Sequence, residues 1–160
     1  MVVRKVEEKD RSKLLQLHHD LHIKYQREHL LKNSPVQSII EYVDPNSSMK
    51  ESVEELFDGS HFAFVAEMDG KIVGFISGKI NKLEDKTHNK EGYIDDWYVE
   101  GDHRSKGIGK QLFDALVDEF KKQGCTHLAI SAYAENSEAL ELYRKLGFHD
   151  FSVILKKKLT

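Results

Sequence analysis

The chain has 160 residues, with 24 Lys and Arg against 27 Asp and Glu, and 39% of its residues are apolar. That size suits one domain with one packed core, expected over residues 1–160, and the near-neutral balance supplies no field for nucleic-acid binding. No run approaches the ~18 apolar residues of a membrane span, the start has no apolar leader core, and a single cysteine, Cys125, excludes an internal disulfide framework and a cysteine-based zinc site. A soluble, cytoplasmic, globular domain without membrane or nucleic-acid partners is expected. Residues 2–6 read as a short strand, after which Asp10 is placed to cap a helix. Leu14, Leu17, Leu21 and Tyr25 recur at helical spacing, and that helix is expected to fray near Leu31. Pro35 and Pro45 bracket a loop-rich stretch at 33–48, followed by a short helix at 49–57.

The middle of the chain changes period. Residues 61–67 and 71–80 read as two strands joined by a hairpin at Asp69-Gly70. A charged turn follows, then an aromatic and β-branched strand at 92–99. Next come a helix at 108–122, a short strand at 127–131, a helix at 137–146 and a last strand region at 148–159. An antiparallel front followed by alternating strands and helices gives a mixed α/β sheet.

The segment Val99-Glu100-Gly101-Asp102-His103-Arg104-Ser105-Lys106-Gly107-Ile108-Gly109-Lys110 carries the clearest chemistry. A strand ends, basic residues follow, and two glycines open an amphipathic helix. A helix N-terminus offers unpaired N–H groups and partial positive charge, so the site suits a diphosphate or similar anion. The dinucleotide pattern GxGxxG and the triphosphate loop GxxxxGK[ST] both fail here. A glycine-rich turn that only starts a core helix is the plainer alternative. A second stretch, Asn136 to Phe148, forms a helix that sets Tyr143 on the same face as Ala139, Leu142 and Leu146. A partly buried phenol there needs a hydrogen-bond partner or a task.

Together these stretches resemble the GNAT superfamily of acetyl-CoA-dependent N-acetyltransferases. Arg104-Ser105-Lys106-Gly107-Ile108-Gly109 matches the family's [RQ]-x-x-G-x-[GA] motif. Asn136, Ala139, Tyr143, Gly147 and Phe148 match its second motif, and Trp97-Tyr98-Val99 sits at its strand end. The resemblance follows element order along the chain and is specific from Tyr93 to Phe148. It implies a GNAT-like mixed, mostly antiparallel sheet flanked by helices, with splayed central strands. It also implies acetyl-CoA as cosubstrate. The backbone at Trp97, Tyr98 and Val99 would take the pantetheine arm, and Val99 N–H would polarise the thioester carbonyl. The N–H groups from Arg104 through Gly109 would hold the pyrophosphate, with Lys110 nearby and Asn136 on the pantetheine chain. Tyr143 matches the general acid, with an ordinary pKa near ~10.

The base is harder to assign. Asp95 and Asp96 are neighbours on a strand, so their side chains are expected to face opposite ways. Polyamine-acetylating members carry a carboxylate at the Asp95 position, which makes Asp95 the working base. His18 and His22 have i,i+4 spacing but no evident third ligand, so no metal is expected. His18, His19, His22, His29, Tyr25 and Tyr42 are better placed for substrate contact. Cys125 reads as a small buried hydrophobe, and Lys156-Lys157-Lys158 as edge protection. The acceptor is a small-molecule amine, such as a polyamine or aminoglycoside, or a peptide or protein amine. Family members often pair through C-terminal strands, which makes a homodimer a candidate state. A non-catalytic acyl-CoA sensor and a nucleotide-binding domain are the alternatives to an enzyme.

Overall fold

The computed structural model describes residues 1–160. Strand β1 (Val2–Lys5) leads into helix α1 (Arg11–His19), which runs on as a π-helical segment (Asp20–Leu30). Helix α2 (Pro45–Glu55) precedes β2 (Phe62–Met68), β3 (Lys71–Lys82) and β4 (Lys90–Val99). Helix α3 (Ile108–Lys122), strand β5 (His127–Ile130) and helix α4 (Ser137–Lys145) complete the order. The sheet runs β1-β2-β3-β4-β5, antiparallel except for the parallel β4–β5 pair. The Asp69-Gly70 hairpin forms with both residues at positive φ, 50° and 76°, as a type I′ turn requires.

Three local expectations change. Asp10 does not cap α1. Its buried carboxylate takes two hydrogen bonds from Arg4 and one from Glu7 N–H, which draws it toward β1. Helix α2 starts four residues earlier than expected, because Asp44 accepts from Asn46 and Ser47 N–H while Pro45 occupies the first turn. A proline there loses no helical hydrogen bond. The last strand does not form: residues 148–160 lie outside any strand, and Phe151, Val153, Ile154, Leu155 and Leu159 are 81–100% exposed. The apolar pattern expressed strand propensity, but a strand also needs an edge to pair with. Here the segment leaves the sheet after Gly147 (φ 93°). The splay therefore lies between β4 and the edge strand β5, one step from the centre of the sheet.

Both faces of the sheet are covered. Helix α3 packs Ile108, Leu112, Leu116 and Phe120 against Ile76 and Ile94 on one face. Helix α1, its π-helical continuation and α2 set Leu14, Leu17, Leu21 and Val53 against Val65 and Phe75 on the other. These two layers hold β4 rigid at the point where its outer edge becomes free.

Candidate active site

Strands β4 and β5 pair only from Glu91–Ile94 to His127–Ile130. Beyond Ile94, β4 continues to Val99 with no partner on that side. Glu100 N–H donates to Val73 O on β3. Backbone groups alternate along a strand, so the N–H groups of Trp97 and Val99 point toward the open side. Val99 O on that side accepts from Arg104 Nε at 2.8 Å. The Arg104 guanidinium also lies over the rings of Tyr25 and Tyr98, at 5.6 and 5.5 Å. It ties the π-helical segment to the glycine loop.

The glycine loop turns through Ser105 (φ 60°) and Gly107 (φ 76°) into α3. The Ser105, Lys106 and Gly107 N–H groups donate to no main-chain carbonyl, and no side chain caps α3. With the free first-turn N–H groups of Ile108, Gly109 and Lys110, they make a cradle of donors that fits a pyrophosphate. The basic side chains are engaged elsewhere: Lys106 donates to Asp102 O, and Lys110 pairs with Asp114. The main chain, more than the lysines, offers the free donors of this loop.

Across the splay, Asn136 caps α4 by accepting from Ala139 N–H at 3.2 Å. Tyr143 stacks on Trp97 with ring centroids 6.0 Å apart and meets Phe148 edge-on. Burial, reinforced by nearby Tyr25, pushes its phenol up to about 12. Trp97 also stacks on Phe113 of α3.

The carboxylates are where sequence reasoning failed. Asp95 and Asp96 do not face opposite ways. Ser77 pairs with Asp96 and Gly78 with Ile94, so Asp95 is an extra residue in the β4 ladder. This bulge turns both carboxylates onto the α1–α2 face, where they line one cavity of about 210 Å³ with His22, His61, Ser77 and Lys79. A one-residue insertion breaks the alternation that the expectation assumed.

Histidines hold both groups. His22 Nε2 lies 2.9 Å from Asp96 Oδ1, and His18 Nε2 lies 3.5 Å from Asp96 Oδ2. Burial alone would raise Asp96, but the neighbouring His18 ring and the close contact with His22 hold it well below the usual carboxylate range. Burial likewise opposes charge on His22, yet the bond to Asp96 raises its pKa. His18 is fully buried, stacked on Phe75, with Nδ1 on Leu14 O at 2.8 Å. It positions Asp96 from behind and has no surface to offer a substrate. His61 Nε2 lies 3.0 Å from Asp95 Oδ2, and Lys79 Nζ lies 3.5 Å from Asp95 Oδ1. The hydrogen bond to Asp95 raises the His61 pKa. Of the residues named for substrate contact, only His22 lines this cavity. His29 stacks on Tyr25. Cys125 packs against the α3 core, where burial raises its thiol.

The model of the acetyltransferase (GNAT) family matches residues 19–148. The chain belongs to the GNAT acetyltransferase family. Among its GNAT relatives, an uncharacterized N-acetyltransferase of Methanocaldococcus jannaschii is 32% identical over 91 residues, 57% of this chain and 40% of that protein. The N-alpha-acetyltransferase of Sulfurisphaera tokodaii is 32% identical over 108 residues, 64% of this chain and 65% of that protein. The match thus spans less than two thirds of either relative. An aminoglycoside N(6')-acetyltransferase of Stenotrophomonas maltophilia is 27% identical over 112 residues, 67% of this chain and 72% of that protein. In fold, a predicted acetyltransferase of Clostridium acetobutylicum solved with acetyl-CoA superposes with a TM-score of 0.73 at 21% identity, covering 99% of this chain and 96% of that one. The aminoglycoside 6'-N-acetyltransferase of Acinetobacter haemolyticus gives 0.72 at 20% identity, with full coverage of both chains. No helix is long and apolar enough to cross a membrane.

His61 and Lys79, with Glu55, Ser52, Leu56 and Ser77, are cavity residues that sequence reasoning missed. Lys79 had a readable signal, as a charge inside an otherwise apolar strand. His61 had none, because its role depends on the bulge in β4.

Proposed function

We infer that the chain, as one GNAT domain over residues 1–160, transfers the acetyl group of acetyl-CoA to a small cationic primary amine. When bound, acetyl-CoA supplies a thioester carbonyl open to amine attack. The observation that carries the reading is the bulge: it sets two carboxylates in one cavity beside the free edge of β4. A carboxylate pair suits a polyamine or aminoglycoside better than a single peptide amine, because such acceptors carry several charges.

Each residue has a stated task. The N–H groups of Trp97 and Val99 on the open edge take the pantetheine arm and the thioester oxygen, with Tyr98 holding the strand against α1. The N–H groups of Ser105, Lys106, Gly107, Ile108, Gly109 and Lys110 hold the pyrophosphate, whereas the Arg104 N–H is taken by Gly101 O. The Asn136 amide nitrogen remains to donate to the pantetheine chain. An alkylammonium, with a pKa near ~10, must lose a proton before it can attack. Asp95, the more accessible carboxylate, takes that proton, with water completing its route outward. Asp96, clamped by His18 and His22, is the fixed anion that orients the cation. Tyr143 keeps its proton at neutral pH and gives it to the departing sulfur, and the second proton, lost from nitrogen as the C–S bond breaks and the amide forms, restores the phenol.

Incubation with acetyl-CoA and a panel of polyamines, aminoglycosides, amino acids and peptides, counting free thiol, tests this. Thiol release is expected with polyamines or aminoglycosides and not with peptide N-termini. Release with peptides alone would overturn the small-amine assignment. No release with any acceptor, from protein that binds acetyl-CoA, would favour a sensor. Asp96→Asn is expected to raise the amine KM about ten-fold or more, the scale of one charge-assisted contact, with little change in kcat.

The reading also includes cytoplasmic residence and a homodimer. The exposed apolar side chains of residues 151–159 support pairing between copies. Light scattering during gel filtration is expected to give twice the chain mass of 18.5 kDa. A single-chain mass at micromolar concentration would sink the dimer.

A further inference from the structure

The two cavity carboxylates differ in how many cations they hold. Asp96 is nearly buried and has only histidines beside it, His22 and His18. Removing charge from its partners would leave a buried anion unpaired, which is costly. Asp95 has two cationic partners, His61 and Lys79. Of these two partners the imidazole is the one whose side-chain type titrates near neutral pH, so the charge of His61 is the one that Asp95 can lose.

The surroundings of His61 are built for that loss. Its Nδ1 lies 2.7 Å from the Oγ of exposed Ser60. A hydroxyl accepts from a protonated Nδ1 and, after rotating, donates to a bare one. Nε2–H stays on Asp95 in both states, so the ring can lose a proton without moving. His18 contrasts with it: its Nδ1 faces the Leu14 carbonyl, which can only accept. Three further charged groups face His61. Glu55 of α2 lies 3.9 Å from Nε2, Lys79 of β3 shares Asp95, and Asp58 of the preceding loop binds Ser60 N–H.

Charge counting gives the consequence. With both accessible histidines protonated, His22, His61 and Lys79 offset Asp95, Asp96 and Glu55 at the cavity. An entering ammonium would then meet no net attraction. We propose that a cationic acceptor binds with release of one proton from His61, whose place as counter-ion of Asp95 the ammonium takes. This rests on the cavity being the amine pocket. The proton leaves Nδ1 for Ser60 Oγ, and the hydroxyl passes its own proton to water. The imidazole remains neutral, with its Nε2–H still on Asp95. His61 thereby sets the pH window in which the enzyme accepts cationic amines.

The test is calorimetric titration of 1,4-diaminobutane into protein saturated with CoA, which carries no acetyl group to transfer. Repeating it in buffers of different ionisation enthalpy counts the protons released. About one proton is expected at pH values below the His61 midpoint. There the apparent Kd falls about ten-fold per pH unit as pH rises, and it levels off above the midpoint. His61→Gln, which keeps a donor toward Asp95, is expected to bind without release and with a flat profile. In the wild type, the His61 15N imidazole signals move from charged toward neutral as the diamine is added, a readout that needs no variant. Diamine binding with no proton release, or release unchanged in His61→Gln, overturns the proposal alone. No binding of the diamine between pH 5 and about 9, where the amine is still charged, overturns the amine-pocket reading and this proposal with it.

Discussion

Tyr143→Phe is expected to slow acetyl transfer by about 10²–10⁴-fold, the usual contribution of a positioned proton donor, and to leave acetyl-CoA affinity unchanged. The variant loses only a hydroxyl. The phenyl ring keeps its stack on Trp97 and its edge contact with Phe148, so the slot between β4 and α4 keeps its walls. No hydrogen bond within the chain accounts for the phenol's raised pKa, which follows from burial and from Tyr25. A partly buried hydroxyl with no partner of its own is free to donate to a bound group. The sign of the pH effect also follows. A phenol at about 12 stays protonated through the whole assay range, so Tyr143 contributes no alkaline limb below that value. An alkaline limb would then belong to the acceptor's own deprotonation, and the histidine-linked pocket would give an acid limb. Single-turnover kinetics with acetyl-CoA titrated separately would check both halves. A variant with wild-type kcat would remove the role assigned to Tyr143, though not the acetyltransferase reading.

The parts of this site that could be read from sequence are those whose chemistry is local. The glycine loop is written in consecutive residues, and its helix begins at Ile108 as expected. Asn136 and Tyr143 lie on one helix and inherit its spacing. The proposed acceptor cavity is assembled from four elements distant in sequence. Its character turns on a bulge, which sequence alternation cannot announce: Asp95-Asp96 reads as two residues on opposite faces until the register with Ser77-Gly78 is known. His61 and Lys79 become cavity residues through the same event. The missing last strand failed for a related reason, since propensity lies in the segment and pairing lies in whatever edge it meets. The early start of α2 is different, because Asp44-Pro45 was a legible cap that the two prolines disguised as loop.

Gly78→Ala is expected to destabilise the fold by about 3 kcal/mol, the upper end of the overpacking range, and to abolish amine selectivity even where the protein stays folded. Phe120 of α3 is fully buried against a slot made by Gly78 of β3 and Gly92 of β4. A Cβ on Gly92 would meet Phe120 Cδ2 at 2.5 Å and Leu128 Cδ2 at 3.0 Å, both side-chain atoms. A Cβ on Gly78 would meet Phe120 Cζ at 2.8 Å and would also collide with the main-chain oxygen of Tyr93. Side chains can move aside, whereas a carbonyl inside a paired ladder cannot. Phe120→Leu should therefore relieve much of the cost of Gly92→Ala and little of the cost of Gly78→Ala. Denaturation midpoints of the two double mutants measure that difference directly. Phe120→Ala alone is expected to cost about 3–5 kcal/mol, since it leaves the slot empty. The functional consequence arises because Gly78 borders the bulge. Moving the Tyr93 carbonyl displaces Ile94 and Asp95 next to it, so the carboxylate proposed as the base shifts with the backbone. At a temperature where Gly78→Ala and Gly92→Ala are both folded, the first should lose the wild-type discrimination between diamines and monoamines. The second should keep it. Equal retention in both would mean that the bulge is held by contacts other than the glycine slot.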